Sequence, residues 1–414
     1  MSQQAFSQVK YTEISDSAIM ALMPVVSVHM ITYNHGLYLA KAIEGVIAQK
    51  SDFPIELIIG EDCSTDNTRQ IALDYQRRYP QLIRVIYSNE NIGMMKNVRR
   101  VLNACRGQYV ALCEGDDYWI DPEKLSEQVA TLSRLKNIDI TFHSCYLKYE
   151  KQGKEVLSSV CSPVDRIFTL PEIIIGRGDF MPTASILARR STLMSIQNWF
   201  KITKPPIGDY FMQVFGSRNG GAYYINKPMS VYRTEVDVSW SETTKPIDTL
   251  LKFESNFFLA LKEFEQVIPG QEEAFKHHIV SHYSGRFTDV NNENFSKMKA
   301  FILSVLKDIY DSEIIVEHND GAEPLEWAFF LKFANDSGKV KELKEYENRA
   351  LWQFFRVARS LLGYGILTLK MLNIKQSGSS ECEKTMAKWK TEVQRSYLIA
   401  RWKRLCKLIA ANIR

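Results

Sequence analysis

The first 240 residues predict an α/β fold, a mixed and mainly parallel sheet flanked by helices, followed by a C-terminal helical module. Three observations carry this. Short apolar runs of strand length alternate with segments whose apolar residues recur at helical spacing. Strict alternation implies parallel strands joined by right-handed crossovers. After about Thr249 the strand pattern stops and only helical spacing remains.

Residues 1–23 are polar and weakly patterned and read as a loose leader. Val25–Ile31 is a near-continuous apolar run, as a strand buried on both faces requires. Leu39, Ile43, Val46 and Ile47 then fall on one helical face. Ile55–Gly60 is the second strand and ends at Glu61-Asp62. Asp66 is placed to cap a helix running towards Tyr79. Arg84–Tyr87 forms a third strand, Lys96–Ala104 a helix, and Tyr109–Cys113 a fourth strand. A helix follows Pro122, then a strand over Ile138–Leu147, a charged turn around Gly153, and a mixture of short strands with one helix after Asp209 over 183–233. Leu250, Phe253, Phe257, Leu261 and Phe264 step at helical spacing. The expected domains are therefore a leader at 1–23, an α/β domain at 24–240, a helical module at 241–375 and a basic tail at 381–414.

Hydrophobic residues make up 45% and charged residues 24%, which excludes a disordered or fibrous chain. The net charge of +4 conceals an asymmetry: Arg349–Arg414 holds 14 Lys/Arg against 3 Asp/Glu, leaving 38 against 45 for residues 1–348. A mildly acidic body with a basic tail points to an anionic partner for the tail. The seven cysteines form no CxxC pair and read as reduced and structural. Neither a signal-peptide pattern nor an apolar stretch of spanning length occurs, so the cytoplasm is the expected location.

The strongest chemical signal is Glu114-Gly115-Asp116-Asp117, directly after a buried strand. Like charges so close raise one another's pKa, and a bound cation removes that cost. Mg²⁺ or Mn²⁺ reaches proteins through one or two carboxylates, with diphosphate oxygens completing the shell. Helix capping explains Asp121 before Pro122, but not the three upstream carboxylates. In parallel sheets ligands collect at strand carboxyl ends. Both Glu61-Asp62 and the Glu114–Asp117 cluster sit there.

Four segments in order, Ile31-Thr32-Tyr33-Asn34, Glu61-Asp62-Cys63-Ser64-Thr65-Asp66, Asn91-Ile92-Gly93 with Asn97, and Glu114–Asp117, resemble the motifs of family 2 inverting glycosyltransferases, which have the GT-A fold. The resemblance implies a nucleotide-diphosphate sugar, UDP-sugar preferred, as donor. It implies that Thr32, Tyr33 and Asn34 line base and ribose, that Asp62 accepts from the base with Glu61 beside it, and that Asp116 is the principal ligand of Mn²⁺ or Mg²⁺. Glu114 stands where the family more often has Asp, so it reaches ribose or metal-bound water. For Glu61 and Asp62 plain turn chemistry is the competing reading. Lys96 is a phosphate contact or a solvated helix lysine.

An inverting transfer also needs a base for the acceptor hydroxyl. Gly208-Asp209-Tyr210 resembles the family motif in which an acidic residue opens a helix, which makes Asp209 the base; capping that helix is compatible with the role. Arg233, in a segment resembling the family's closing strand before Trp240, is placed to steady the leaving diphosphate. Relatives often carry His two residues later, where this chain has Glu235. His29 reads as a core residue, and His277, His278 and His282 lack an HExxH pattern. The absence of a Walker loop and of GxGxxG excludes ATPase and dinucleotide readings.

In the tail, Leu398, Trp402, Leu405, Ile409 and Ile413 share one helical face, opposite Lys403, Arg404 and Lys407. Such a helix lies in a bilayer interface or docks on the catalytic domain; membrane-surface contact through 395–413 suits a lipid-linked acceptor. The resulting expectation is a peripheral enzyme of bacterial O-antigen or capsule synthesis acting on a glycan or lipid-linked acceptor. The alternatives are a nucleotide-sugar-binding scaffold, or nucleic-acid binding through the tail, which its segregated apolar face disfavours.

Overall fold

The computed structural model describes residues 10–176, 180–237, 239, 244, 246–286 and 301. The expectations for Trp240, for the helical module beyond residue 286 apart from 301, and for the basic tail lie outside the described residues.

The leader is not loose over its described part. Strand β1 (Thr12–Ile14) and helix α1 (Ser17–Ala21) form there, with Asp16 Oδ1 accepting from Ala18 N at 2.7 Å as a helix cap and Ile19 buried. The alternating pattern then runs β2 (Val26–Thr32), α2 (Leu39–Ile47), β3 (Ile55–Glu61), α3 (Thr68–Arg78), β4 (Ile83–Tyr87), α4 (Met94–Ala104) and β5 (Tyr109–Leu112). A two-residue β6 (Tyr118–Trp119), α5 (Lys124–Arg134) and the hairpin β7 (Ile140–Tyr149)–β8 (Lys154–Ser158) follow. Next come β9 (Arg166–Phe168), α6 (Leu170–Ile175), β10 (Leu187–Arg189), α7 (Arg190–Ser195), α8 (Gln197–Thr203), α9 (Asp209–Gly216), β11 (Ala222–Thr234) and α10 (Ile247–Glu265).

All strands belong to one mixed sheet of order β1-β4-β3-β2-β5-β10-β7-β11-β6, with β8 paired to β7 and β9 to β11. Its first half is parallel: β4, β3, β2 and β5 run together, as continuous burial of β2 and β3 demands. Strand β10 enters antiparallel between β5 and β7, while β7 and β11 are again parallel. Since β3 lies on one side of β2 and β5 on the other, strand order reverses at β2. The crevice at such a reversal is where open α/β sheets bind ligands.

Beneath this crevice the core is Val26, Val28, Met30, Leu57, Ile59, Val85 and Ala111 of the strands, packed against Leu39, Ile43 and Val46 of α2 and Leu125, Val129 and Leu132 of α5. At the opposite end, Glu56 gathers Ser27 Oγ at 2.6 Å, Arg84 Nη1 at 3.0 Å and Arg106 Nη2 at 2.7 Å. Arg84 also pairs with Glu13 and Arg106 donates to the Ile19 and Met20 carbonyls, so this network fastens the leader to the sheet. Burial works to raise the Glu56 carboxyl; the Arg106 and Ser27 hydrogen bonds outweigh it and hold Glu56 below its ordinary value.

His29 is the core residue its position suggested: its Nε2 lies 2.9 Å from the Val98 carbonyl, and burial lowers its pKa. The five described cysteines are free thiols, three of them buried. Asp66 Oδ1 accepts from Thr68 N at the start of α3, as expected. The compact unit extends beyond residue 240, to Gln271, because α10 packs its aromatic face on the domain: Phe264 meets Trp199 and Phe211, and Phe257 meets Tyr210 and Phe211. Of the part beyond, a helix over Glu272–Arg286 is described. Among the described residues, no helix is long and apolar enough to cross a membrane.

Candidate active site

Three loops leave the carboxyl ends of β2, β3 and β5 and meet at the reversal point. The first two are tied together by short polar contacts. Asn34 turns the first loop in the left-handed region (φ 54), which Asn tolerates better than most residues. Its Oδ1 accepts from Thr65 N at 2.8 Å, and its own N–H donates to Ser64 Oγ at 2.9 Å. Gly36 N donates to Asp66 Oδ2 at 2.9 Å. Cys63 (φ 59) turns the second loop in the same strained region, a cost of order 1 kcal/mol that clusters at functional sites. Tyr33, 38% exposed, presents its ring at the opening.

Glu61 is fully buried, and both its oxygens are engaged: Oε1 accepts from Ser64 N at 2.5 Å and Oε2 from Arg69 Nε at 2.6 Å. It therefore holds the loop. Asp62 accepts from Ile92 N and Gly93 N, both at 2.9 Å, so the third motif is folded onto the second. A carboxylate has about four acceptor sites, so Asp62 retains capacity for a further donor. Gly93 (φ 85) caps α4, where Asn97 Nδ2 donates to the Gly60 carbonyl at 2.8 Å and pins the helix to β3. Lys96 is exposed on α4 with no partner among the described residues.

The third loop carries the carboxylates. Desolvation raises the Glu114 carboxyl to about 8, and the charges of Asp116 and Asp209 add to this. Burial likewise pushes Asp117 well above the carboxylate range, with Asp116 and Glu114 adding. Asp117 Oδ1 accepts from Arg233 N at 2.9 Å, while its buried Oδ2 has no protein partner. Asp116, its side chain 14% exposed, stands with its Oδ2 3.8 Å from His35 Nε2. Gly115 allows the loop to lie against β2: a Cβ there would meet Thr32 Oγ1 at 2.6 Å and His35 Nδ1 at 3.0 Å.

Asp209, half-buried at the start of α9, closes the cluster from the second half of the sheet. It reaches Glu114 closely enough to raise its pKa, and burial raises its own against the Tyr210 N–H it accepts at 2.8 Å. Tyr232 lies within electrostatic reach of the same group: although the residue is 36% exposed, local desolvation raises its phenol, as do the charges of Asp117, Glu114, Asp116 and Asp209. Arg233 stands behind the loop. Its Nε donates to Glu150 Oε1 at 2.7 Å, its Nη1 to the Asp116 carbonyl, and its guanidinium lies over the rings of Tyr118 and Tyr38. These contacts make it a buttress of the acidic loop. Glu235 is turned away, accepting from Lys151 N and Gln152 Nε2.

The structure thus gathers Thr32, Glu114, Asp116 and Asp209 at one opening, with Tyr33, Asn34 and Asp62 on the neighbouring loops. His35, Tyr232 and Glu150 belong to the same neighbourhood and were missed from sequence, whereas Asp117 was read there as part of the acidic cluster. Only His35, which directly follows Asn34, carried a signal there. A surface cavity of about 550 Å³ at Asn198, Lys201, Ile202 and Lys204 contains none of these groups, so the carboxylates rather than that cavity define the site.

Among the described residues, no group of three or more His, Cys, Asp and Glu is disposed to hold a metal. The donors fit an ion that brings ligands of its own: one open carboxylate at Asp116 with Glu114 beside it, mutually repelled until a cation arrives, matches how Mg²⁺ and Mn²⁺ are held jointly with phosphate oxygens.

Comparison with known proteins agrees. Residues 27–177 match the family model of glycosyl transferase family 2. An uncharacterized protein of Mycobacterium tuberculosis is 37% identical over 214 residues, which cover 52% of this chain and 60% of that protein. The dTDP-rhamnosyl transferase RfbG of Shigella flexneri is 25% identical over 214 residues, 49% of this chain and 71% of that one. Residues 1–349 of S. aureus TarS, solved in complex with UDP-GlcNAc, superimpose with a TM-score of 0.56 at 18% identity, over 75% of this chain and 87% of that one. The fold is of GT-A type. The resemblance read from the motifs holds: residues 27–177 match glycosyl transferase family 2, on a fold like that of TarS. The matched region spans less than two thirds of the mycobacterial relative's length.

Proposed function

We propose that this protein is an inverting glycosyltransferase. It would move a sugar from a nucleotide-diphosphate sugar to a glycan or lipid-linked acceptor in bacterial polysaccharide synthesis. The observation that carries the reading is the convergence of Asp209 on Glu114 and Asp116 at the strand reversal.

In the proposed step the acceptor oxygen forms a bond to the anomeric carbon while the bond from that carbon to the diphosphate oxygen breaks. The hydroxyl proton passes to Asp209, and the nucleoside diphosphate leaves with the electron pair. Burial makes Asp209 a stronger base than a solvated aspartate, which suits proton removal near neutral pH. Asp116, with Glu114, would hold Mn²⁺ or Mg²⁺, which when bound neutralises charge on the diphosphate. The loop of Thr32, Tyr33 and Asn34 and the spare lone pairs of Asp62 would take the nucleoside. Uracil and thymine both offer an N3–H to such an acceptor, and the UDP-GlcNAc of the TarS complex and the dTDP named for RfbG support a base of that kind. Arg233 contributes by fixing the Asp116 backbone. Action at the cytoplasmic face of the membrane rests on the amphipathic basic pattern of 395–413.

The test is a thermal-shift series of UDP, dTDP, GDP and CDP, each with and without Mn²⁺, on wild type and Asp116→Ala. A ligand that binds only the folded state raises its apparent stability. A metal-dependent shift with UDP or dTDP, lost in the variant, is expected. No shift with any nucleotide would overturn the reading. Sedimentation of the full chain with anionic vesicles tests the membrane contact, and failure to co-sediment would remove it.

A further inference from the structure

His35 follows the nucleoside loop and has no place in the mechanism above. It is only slightly exposed, its side chain at 12%, and its two ring nitrogens face different surroundings. Nδ1 is buried without a protein partner, as is Thr32 Oγ1. Both lie within 3.0 Å of the point where a Gly115 Cβ would stand, so the two orphaned atoms face one gap over a glycine that alone leaves room for them. A proton on Nδ1, relayed to the Thr32 hydroxyl through one bridging water, satisfies both atoms and leaves the lone pair on Nε2. That lone pair then faces Asp116 Oδ2 at 3.8 Å.

Two acceptors opposed in this way repel unless a cation stands between them. A proton on Nε2 fits the gap poorly, because charge-assisted N–H···O bonds run at about 2.7–2.9 Å. A metal ion bridges it after a small adjustment. With bonds of about 2.1 Å, adjacent ligands of an octahedral ion stand about 3.0 Å apart, so the two side chains need close by less than about 1 Å to share one ion. An orienting hydrogen bond on the other ring nitrogen is what ligating histidines ordinarily have. Glu235, just past the end of β11, points elsewhere and does not compete for the position.

We propose that His35 Nε2 is a ligand, together with Asp116, of a divalent cation in this site. The proposal rests on the donor-binding reading and adds a nitrogen to a coordination shell otherwise made of oxygen.

The test uses the full chain with UDP and Mn²⁺. Pulsed EPR of the bound Mn²⁺ should show ¹⁴N coupling from one imidazole, absent in His35→Ala. The Mn²⁺ Kd from free-ion EPR should weaken about tenfold or more in His35→Ala, while UDP affinity in EDTA stays at the wild-type value. A wild type that binds Mn²⁺, loses it in Asp116→Ala and shows no nitrogen coupling overturns the ligand assignment and leaves the donor reading standing. Unchanged Mn²⁺ affinity in His35→Ala also overturns the assignment. Wild type that binds no Mn²⁺ with UDP or dTDP overturns both. The coupling is read on wild type, so the result does not depend on the variant folding.

Discussion

Replacing Gly115 by alanine probes the contact between the nucleoside loop and the acidic loop. The added Cβ would stand 2.6 Å from Thr32 Oγ1, 2.8 Å from Thr32 Cβ and 3.0 Å from His35 Nδ1. Relaxed heavy-atom contacts lie near 3.5–4.0 Å, so one loop must retreat by about 1 Å. Thr32 cannot swing aside: it is a short β-branched side chain on the last residue of a wholly buried strand. Overpacking of this kind costs about 1–3 kcal/mol. A displacement of about 1 Å at reacting groups costs about 100-fold in rate. Gly115→Ala should therefore lower the urea midpoint without changing the m-value, and lower turnover far more than stability alone implies. In a Thr32→Ala background the hydroxyl contact is gone, and the stability cost should shrink by about 0.5–1 kcal/mol as a coupling energy. If Gly115→Ala stays within about 0.5 kcal/mol of wild type with unchanged turnover, the two loops do not pack as described.

Three further outcomes are expected. Asp209→Asn should lower turnover by about 10²–10⁴-fold while leaving the thermal shift with nucleotide and Mn²⁺ intact, since only the proton acceptor is removed; a lost shift would place Asp209 in donor binding instead. Glu56→Gln should cost about 3–5 kcal/mol in urea unfolding at pH 7, because Arg84 and Arg106 lose their buried partner. Glu56 is held below its ordinary value in the fold, so this stability is present above the unfolded pKa of 4.5 and lost as pH falls through the folded one; the gap to wild type should close below about pH 4.5, and a gap that widens on acidification would refute the network. Arg233→Lys should keep an ion pair with Glu150 but lose the forked contact to the Asp116 carbonyl, lowering turnover at unchanged fold by circular dichroism; wild-type turnover would deny it a buttressing role.

Much of the fold was legible because periodicity reports burial. Strands β2 and β3 read as unbroken apolar runs since both faces are covered, and α2 showed its core face at helical spacing. The leader escaped this reading because β1 is a short edge strand held by Glu13–Arg84, and a charge pair leaves no period to detect. The extension of the compact unit to Gln271 was hidden for a related reason. Phe253, Phe257 and Phe264 announce a helix with an apolar face, but nothing local says that the face belongs to α8 and α9 rather than to a separate module.

The site was legible to a different depth, because a motif marks that a residue matters before it shows how. Glu61 and Arg233 were singled out for what they offer a ligand, and Asn97 only as part of the third motif, yet the polar groups of all three are largely committed to the protein. Glu61 draws Ser64 and Arg69 together, Asn97 clamps α4 to β3, and Arg233 props the Asp116 backbone from behind. What they protect is an arrangement that repels itself. Glu114, Asp116, Asp117 and Asp209 converge: desolvation and neighbouring charge raise the Glu114 and Asp117 carboxyls, burial raises that of Asp209, and no cation among the described residues neutralises Glu114. Such a cluster persists only if rigid neighbours hold it and if a ligand repays its cost. The division of labour follows: residues with filled hydrogen-bonding capacity hold the loops, and capacity to spare remains on Asp62, Asp116 and His35.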